Sequence, residues 1–326
     1  MSSLEKKTEI LTENSVPKNT IIPKNEYKIV VDKNGNGDFT SIQEAINATK
    51  AFPSERITIF IKNGVYYEKI KVPSWIPEIS LIGESRENTI LTYDDYSGKP
   101  GAVRIGTSNS YTVLIEGNDF YAENLTIQNT AGLVGQAVAL NVNADRVIIN
   151  NCSLLGNQDT LFTSAGGAVN YFKDCHIEGT TDFIFGDATT LFENCTIHSK
   201  KNSYITAAST RQESSFGYVF KNCKLTANEN ATEVYLGRPW KNFAKTVFID
   251  CEMGKHIRPE GWHNWSKPDA EKTAFYAEYN CSGSGFQPEK RVAWSHQLTK
   301  EEAKKYTIEN ILGFDFSKTI KESHSK

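Results

Sequence analysis

Two aspartates occupy the same position in neighbouring copies of a short motif. Asp159 lies seven residues after Cys152, and Asp182 lies seven residues after Cys175. If each copy forms one coil of a repetitive structure, the two carboxyl groups come together in a single site. Two carboxyl groups in different protonation states can supply both a charged group and a proton donor. This pair is therefore the strongest indication of function in the sequence.

Two glutamines accompany the aspartates. Gln158 directly precedes Asp159, and it lies 22 residues after Gln136. The step from Asp159 to Asp182 is 23 residues, so both intervals fit single coils. Residues in register on neighbouring parallel strands lie about 4.8 Å apart, and we expect all four side chains to share one pocket. Since adjacent strand residues face opposite ways, Gln158 and Asp159 can both enter it only at a bend, which predicts a corner there.

The motif recurs through the middle of the chain. Asparagine or aspartate followed by cysteine, or once by leucine, is found from Leu125 to Cys251 at steps of 27, 23, 20, 28 and 28 residues. A drifting period of this size is typical of a solenoid. Segments between the copies, such as residues 146–149, 190–192 and 245–249, are short and rich in β-branched or aromatic residues. The sequence therefore predicts an all-β fold, a parallel β-helix.

Length and composition fit one such domain. The chain has 326 residues, of which 39% are hydrophobic and 23% charged, and no linker divides it. We expect a single catalytic β-helix over residues 25–318, with polar tails at residues 1–24 and 319–326. The net charge of −3 and a pI near 6.1 do not suggest a nucleic-acid partner. Five of the six cysteines share the repeat position, which favours a ladder of buried thiols over disulfides.

The two ends of the chain contain candidate caps for a solenoid. Ser41 and Glu44 have capping-box spacing, and residues 299–302 open a second candidate helix. Residues 1–24 lack the apolar core of a signal peptide, and no segment is long enough to span a bilayer. No membrane association is therefore expected. The sequence leaves open whether the protein works inside the cell or has lost a signal peptide.

Several familiar catalytic and metal-binding patterns do not fit. Residues 32–37 begin like a calcium loop, but Gln43 stands where a bidentate glutamate belongs, so we interpret them as a tight turn. The chain has no Gly-x-Ser-x-Gly or His-Glu-x-x-His motif, and its histidines do not have zinc spacing. These observations disfavour a serine hydrolase and a metalloenzyme.

Five motifs resemble those of the pectin methylesterases. They are Gly-x-Tyr-x-Glu at 64–68, Gln-Ala-Val-Ala-Leu at 136–140, Gln-Asp-Thr-Leu at 158–161, Asp-Phe-Ile-Phe-Gly at 182–186 and Leu-Gly-Arg-Pro-Trp at 236–240. The resemblance implies a right-handed parallel β-helix with a cleft on its outer wall and no metal or other cofactor. It also implies a secreted, monomeric enzyme that removes methyl groups from methylated homogalacturonan or oligogalacturonides.

The same resemblance assigns roles to individual residues. It implies that Asp182 is the nucleophile and Asp159 the acid and base. Gln136 and Gln158 would donate hydrogen bonds to the oxyanion, and Arg238 would pair with Asp182. The residue types suit these roles, because an arginine favours an ionised and oriented carboxylate. A charged Asp182 and partial burial would raise the proton affinity of Asp159.

Aromatic side chains are expected along the cleft. By resemblance, Trp240 contacts the sugar, since an exposed indole face suits a sugar ring. Phe162, Phe185 and Trp262 are further candidates for the cleft, although core packing explains the two phenylalanines equally well. Glu68, in the first motif, is interpreted as structural because it lies far from the acid pair in sequence.

Two alternatives remain open at the level of sequence. A thioesterase of the same superfamily, acting on acyl-CoA, would keep the acid pair and change the cleft. A non-catalytic polysaccharide-binding solenoid would need aromatic and basic residues along the cleft, but no matched acid pair with amide donors.

Overall fold

The computed structural model describes residues 27–101 and 104–324. Within these residues the chain forms 26 strands, four α-helices and three short 3-10 helices. The strands, in chain order, are β1 (Lys28–Val31), β2 (Ile57–Ile61), β3 (Gly64–Tyr67), β4 (Ile70–Val72), β5 (Ile79–Gly83), β6 (Thr89–Tyr93), β7 (Val113–Ile115), β8 (Tyr121–Glu123), β9 (Thr126–Asn129), β10 (Leu140–Val142), β11 (Val147–Asn150), β12 (Ser153–Leu155), β13 (Leu161–Thr163), β14 (Val169–Lys173), β15 (His176–Gly179), β16 (Ile184–Gly186), β17 (Thr189–Glu193), β18 (Thr196–Ser199), β19 (Tyr204–Ala208), β20 (Tyr218–Lys221), β21 (Lys224–Ala227), β22 (Tyr235–Gly237), β23 (Lys245–Ile249), β24 (Glu252–Met253), β25 (Phe275–Tyr279) and β26 (His296–Gln297). The α-helices are α1 (Ile42–Asn47), α2 (Lys300–Ala303), α3 (Ile308–Leu312) and α4 (Phe316–His324), and the 3-10 helices are Thr107–Asn109, Ala270–Lys272 and Pro288–Lys290.

The strands stack into three sheets. In the described part of the chain, sheet 1 has eleven strands in the order β1-β2-β5-β8-β11-β14-β17-β20-β23-β25-β26. Sheet 2 has eight strands, β24-β21-β18-β15-β12-β9-β6-β3, and sheet 3 has seven, β22-β19-β16-β13-β10-β7-β4. A typical coil gives one strand to each sheet, as β11, β12 and β13 do, and the next coil lies parallel to it. The prediction of a parallel β-helix is confirmed. The three segments chosen as strands from the sequence fall in β11, β17 and β23, all in sheet 1.

The repeated asparagines and aspartates form the corner between sheets 1 and 2. Asn151 and Asp174 have φ angles of 47° and 54°, and Asn194 and Asn222 have angles of 53° and 52°. These are left-handed conformations that most L-residues avoid and that asparagine and aspartate tolerate. The residue type at each corner therefore directs the chain from one sheet to the next.

The cysteine that follows each corner points into the core. All six cysteines are free thiols and buried, as the repeat predicted for five of them. Cys281, the sixth, also follows a left-handed residue, Asn280, with a φ of 49°. It therefore extends the ladder by one coil beyond Cys251, although a step of 30 residues hid it in the sequence.

The core is a continuous stack of apolar side chains inside the coils. Phe172, Phe192, Phe220 and Phe248 come from successive strands of sheet 1, with ring centroids 5.2, 4.5 and 4.5 Å apart. These spacings are close to the distance between neighbouring strands, so in-register pairing puts ring on ring. Each coil is thereby held in register with the next.

Helix α1 closes the first coil, but its cap differs from the one expected. The Ser41 hydroxyl accepts from the backbone N–H of Glu44 at 3.3 Å. The acidic group at this helix start is Glu68, which accepts from the Ser41 hydroxyl at 2.8 Å and from the N–H groups of Ile42 and Gln43 at 3.1 and 2.9 Å. The structural interpretation of Glu68 is confirmed. It ties the strand region after β3 to the helix.

The C-terminal helices lie along sheet 1, where α3 contacts β14 and β17 and α4 contacts β8. A capping box at Thr299 and Glu302 starts α2, as predicted. The expected tail at residues 319–326 is wrong for residues 319–324, because α4 packs on the outer face of sheet 1. The Ser323 hydroxyl lies 2.8 Å from that of Ser80 there. The other expected tail, residues 1–24, lies outside the described residues. Among residues 27–101 and 104–324, no helix has the length and apolar character required to cross a membrane.

Candidate active site

The side chains predicted to do chemistry meet on the outer face of sheet 3. Phe162 on β13 pairs across coils with Phe185 on β16, which pairs with Ala207 on β19. This row forms the floor of a pocket of about 450 Å³. The described residues that line it are Thr107, Ser108, Gln136, Gln158, Asp159, Phe162, Asp182, Phe185, Ala207, Arg238, Trp240 and Trp265.

Asp159 and Asp182 stand at equivalent corners just before β13 and β16. Both have left-handed backbones, with φ angles of 66° and 49°. The N–H of Asp159 donates to the carbonyl of Thr181 at 3.1 Å, and that of Asp182 donates to the carbonyl of Tyr204 at 2.8 Å. The predicted bend is confirmed. It lets Gln158 and Asp159 line the same pocket although they are adjacent in sequence.

The two glutamines lie on neighbouring coils. Gln136 and Gln158 form a parallel bridge, which has the 22-residue spacing read from the sequence. Further along, the N–H groups of Ala139 and Leu140 both donate to the carbonyl of Thr160, at 2.9 and 3.2 Å. This is a β-bulge, a one-residue insertion that re-aims neighbouring side chains. Because of the bulge, Gln136 pairs with Gln158, whereas in β10 and β13 the paired residues are one position closer together in sequence.

Arg238 holds Asp182 with two hydrogen bonds. Its Nε donates to Oδ1 at 2.9 Å and its Nη2 donates to Oδ2 at 2.6 Å. Both side chains are largely buried, with exposed fractions of 16% for the arginine and 9% for the aspartate. A bidentate pair of this kind fixes the plane of the carboxylate as well as its charge. The geometric part of the prediction for Arg238 is thus confirmed.

The two carboxyl groups have different proton affinities. Burial and, next, the negative charge of Asp182 raise the pKa of Asp159 to about 8, with Arg238 opposing the shift. Burial also raises the pKa of Asp182, but the hydrogen bonds and charge of Arg238 counteract it. Since only Asp182 has the arginine hydrogen-bonded to it, Asp182 ionises first. Arg238 thus favours the charged form of Asp182, whereas burial beside that charge favours the protonated form of Asp159.

Aromatic rings line the pocket, two of them in its floor. Phe162 and Phe185 stack with centroids 4.4 Å apart and an interplanar angle of 2°. Trp240 lies 6.0 Å from Phe185 and remains 37% exposed. The outward face of sheet 3 explains why both phenylalanines leave the main core. All three predicted aromatic residues therefore line the pocket, with Trp240 the most exposed and Phe185 only 5% exposed.

Comparison with known families agrees with this geometry. The family model described as Pectinesterase matches residues 28–315, which is most of the chain. The chain belongs to the pectinesterase family. Among curated relatives, Pectinesterase 31 from Arabidopsis thaliana is 41% identical over 84% of this chain and 88% of its own length. Pectinesterase QRT1 from the same organism is 38% identical over 85% of this chain and 75% of its own length.

Solved pectin methylesterases share the fold of this pectinesterase. The enzyme from carrot superposes with a TM-score of 0.84 at 32% identity, covering 93% of this chain and 97% of its own. The enzyme PemA from Erwinia chrysanthemi gives a TM-score of 0.77 at 31% identity, covering 87% and 96%. The family resemblance read from the motifs is confirmed, and the chain is a carboxylic ester hydrolase. The comparisons do not support the thioesterase and binding-solenoid alternatives.

One aromatic candidate is wrong and another was missed. Trp262 does not reach the cleft of this pectinesterase, because it is 1% exposed and stacks on Tyr276 in the core at 4.3 Å. Trp265 lines the pocket in its place. The two tryptophans lie three residues apart on an irregular segment with a φ of 55° at Trp265, where strand alternation gives no guide. The only indication in the sequence was that Trp265 lies three residues from the candidate Trp262.

Proposed function

We propose that this pectinesterase hydrolyses the C6 methyl esters of methylated galacturonan to methanol and free carboxylates, through a covalent intermediate on Asp182. The observation that carries the proposal is the pair itself. Arg238 orients an ionised Asp182 in the same pocket as a protonated Asp159, whose pKa is raised to about 8. Nucleophilic ester cleavage requires one group of each kind.

In the first step, the Asp182 carboxylate attacks the ester carbonyl carbon, and the carbonyl oxygen becomes an oxyanion. The side-chain amides of Gln136 and Gln158 donate hydrogen bonds to that oxygen. Neutral amides suit this task because they do not compete with Arg238 as cationic partners of Asp182. Asp159 gives its proton to the departing methoxy oxygen, so that methanol leaves and an anhydride with Asp182 remains.

In the second step, Asp159 is ionised and acts as a base. It takes a proton from water, whose oxygen attacks the acyl carbon of the anhydride. The bond to Asp182 breaks, and the freed galacturonic acid carboxyl gives its remaining proton to solvent and becomes a carboxylate. Asp159 regains its proton and Asp182 its charge, so the pair returns to its starting state.

The pocket suits a sugar substrate. Trp240 offers an exposed ring beside the acid pair, Phe162 and Phe185 form the apolar floor, and sugar rings stack on exposed aromatic faces. Two of the similar solved structures are of a pectin methylesterase in complex with a hexasaccharide. Their resemblance to this chain supports an oligogalacturonide or polymer lying across the same pocket.

The proposal is tested with Asp182→Asn and methanol release from highly methylated pectin. Asparagine tolerates the left-handed backbone at this corner, so the fold is expected to persist. Asp174→Asn is the control, because it changes an exposed aspartate at another left-handed corner, between sheets 1 and 2, that does not line the pocket. We expect loss of activity in the first variant and full activity in the control. Methanol release by Asp182→Asn at the wild-type rate would refute the assigned nucleophile.

The setting of the reaction is part of the same proposal. Methylated galacturonan is an extracellular polymer, so we place the enzyme outside the cell, acting as a monomer. Light scattering of the purified protein and assay of cell-free culture medium measure these two points. A stable dimer, or activity confined to the cell interior, would contradict them.

A further inference from the structure

The guanidinium of Arg238 lies between two aromatic rings. Its Cζ is 3.9 Å from the centroid of the Tyr204 ring and 3.7 Å from that of the Trp265 ring. A cation against a ring face is attracted by the π electrons, more strongly where water is excluded. The same guanidinium donates to both oxygens of Asp182. The two rings therefore restrict the plane in which Arg238 presents its donors.

Tyr204 is itself held firmly. Its ring stacks on that of Tyr235, the residue it pairs with on the next coil, with centroids 5.3 Å apart and an angle of 13°. Its carbonyl accepts the N–H of Asp182 at 2.8 Å. Tyr204 thus contacts Asp182 through its backbone and Arg238 through its ring. It is not among the described residues that line the pocket.

The segment that carries Trp265 is tied to the segment that carries Arg238. The N–H of His263 donates to the carbonyl of Gly237 at 3.1 Å. The Lys267 ammonium donates to the carbonyl of Trp240 at 3.0 Å and lies 4.6 Å from the Trp265 ring. The N–H of Trp265 donates to Nδ1 of His263 at 2.9 Å. These contacts hold the second ring in place even though its backbone is irregular.

We propose that Tyr204 and Trp265 are positioning residues for ester hydrolysis, which clamp the Arg238 guanidinium so that it orients and charges Asp182. The inference rests on the proposed role of Asp182 as the nucleophile. Without one ring, the guanidinium gains freedom to turn toward water. Asp182 then loses part of its bidentate support, and its carboxylate is both less well aimed and more easily protonated.

The first test compares Tyr204→Leu with Tyr204→Phe in methanol release from methylated pectin. Leucine removes the π face, whereas phenylalanine keeps it. We expect Tyr204→Leu to lower kcat about tenfold with little change in KM. The acid limb of the kcat/KM profile should move to higher pH, because Asp182 needs a lower proton concentration to ionise. Tyr204→Phe should behave like the wild type.

The pH shift is specific to the Asp182 pair. Within residues 27–101 and 104–324, the charge of Asp182 or Arg238 shifts the pKa values of Asp159, His263, Lys267 and Tyr276. All four are unchanged in the Tyr204 variants. A purely structural effect of the substitution would lower the amount of folded enzyme without moving the acid limb.

The second test is a cycle with Arg238→Lys. Lysine can neither form the bidentate pair nor stack as a planar group. In this variant the rings of Tyr204 and Trp265 therefore no longer orient a bidentate partner of Asp182. We expect Tyr204→Leu to have little further effect on kcat in that background. Trp265→Leu is the second variant, and because Trp265 also lines the pocket, it should raise KM as well as lower kcat. Melting temperatures of all variants report on folding.

The outcomes separate this inference from the proposed function. Normal kcat and an unmoved acid limb in Tyr204→Leu, or an equal loss in both Arg238 backgrounds, would overturn the clamp. If Asp182→Asn is inactive while Tyr204→Leu is normal, only the clamp fails. If Asp182→Asn keeps wild-type activity, both the proposed function and the clamp fail.

Discussion

At the scale of single residues, the pocket works through a difference between two aspartates of the same sequence motif. Asp182 has an arginine bonded to both oxygens, and Asp159 instead faces the negative charge of Asp182. The chemical type is identical, so the environment assigns the roles. The same logic gives three predictions, for the pH dependence of the rate, for the oxyanion donors and for stability.

The rate should fall on the alkaline side near pH 8. Asp159 must carry a proton to release methanol, and its pKa is raised to about 8 by burial and by Asp182. The measurement is kcat/KM for methanol release across the pH range. Since the carboxyls titrate as a coupled pair, the limb belongs to the pair. If the rate already fell at pH 5 to 6, Asp159 would be losing its proton there, and the assignment would be contradicted.

Replacing Gln136 by alanine should lower kcat by roughly 10² to 10³. The reason is the loss of one donor to the oxyanion, which forms only during the reaction, so KM should change much less. Gln212→Ala is the control, because Gln212 is exposed and lies outside the pocket lining. A rise in KM at constant kcat would instead assign Gln136 to substrate binding.

Asp159 should destabilise the folded protein at high pH. Its folded pKa of about 8 lies above the ordinary aspartate value of 3.8, so the folded state retains a proton that the unfolded state has released. Stability from this group is therefore present at low pH and is lost as the pH rises toward 8. Asp159→Asn should melt at a higher temperature than the wild type at pH 8, with the difference closing toward pH 4. An equal difference at both pH values would exclude this origin.

At the scale of elements, local sequence signals determine where the chain turns, and contacts between residues distant in sequence stabilise the result. The left-handed asparagine and aspartate corners turn the chain between sheets, and in-register strands then stack equivalent side chains. The N-terminal cap shows the second kind of control. Helix α1 has only six residues, which is too short to be stable alone, and Glu68 supplies acceptors for its first N–H groups.

Glu68→Ala should lower stability by about 1–2 kcal/mol without changing kcat. The loss comes from N–H groups of α1 that are left without their acceptor, and the acid pair is on distant coils. Urea unfolding and methanol release measure the two effects. Glu229→Ala, at an exposed loop position, is the control. A large fall in kcat of the folded variant would show that Glu68 has a role beyond the cap.

At the scale of the whole molecule, the solenoid must be closed at both ends. Near the C-terminal end, Arg291 and Glu278 form a buried pair, with exposed side-chain fractions of 2% and 0%. Arg291 donates to both carboxylate oxygens at 2.8 and 2.9 Å, and also to the carbonyls of Arg258 and Pro259 at 3.0 Å. It thereby joins the last coils to the segment that precedes Trp262 and Trp265.

Arg291→Met should reduce the free energy of unfolding by about 3–5 kcal/mol, because it leaves a carboxylate buried without its partner. The double variant Arg291→Met with Glu278→Leu should recover most of this loss, since no charge remains buried. Urea unfolding measures both. Lys272→Met, which breaks an exposed pair with Asp269, should have little effect. A double variant no more stable than the single one would contradict this explanation.

Much of the architecture was readable in the sequence because a solenoid repeats local rules. The middle coils carry their own corner residue and, in most, an inward cysteine, so spacing alone predicted the fold, the register and a pocket shared by Asp159 and Asp182. The requirement that adjacent residues Gln158 and Asp159 face one site even predicted the bend. Recognition of the family motifs added Arg238 and Trp240.

The tertiary structure decided whatever depends on segments that do not repeat. Trp262 and Trp265 lie in an irregular loop that packs against β22 and Arg291, so the sequence had no periodic pattern to show which tryptophan faces the cleft. Helix α4 packs on an apolar outer surface of sheet 1. The mostly polar sequence of α4 gave no indication of this contact. The raised proton affinity of Asp159 was expected from the repeat, but the extent of burial that raises its pKa to about 8 is set only when the coils stack.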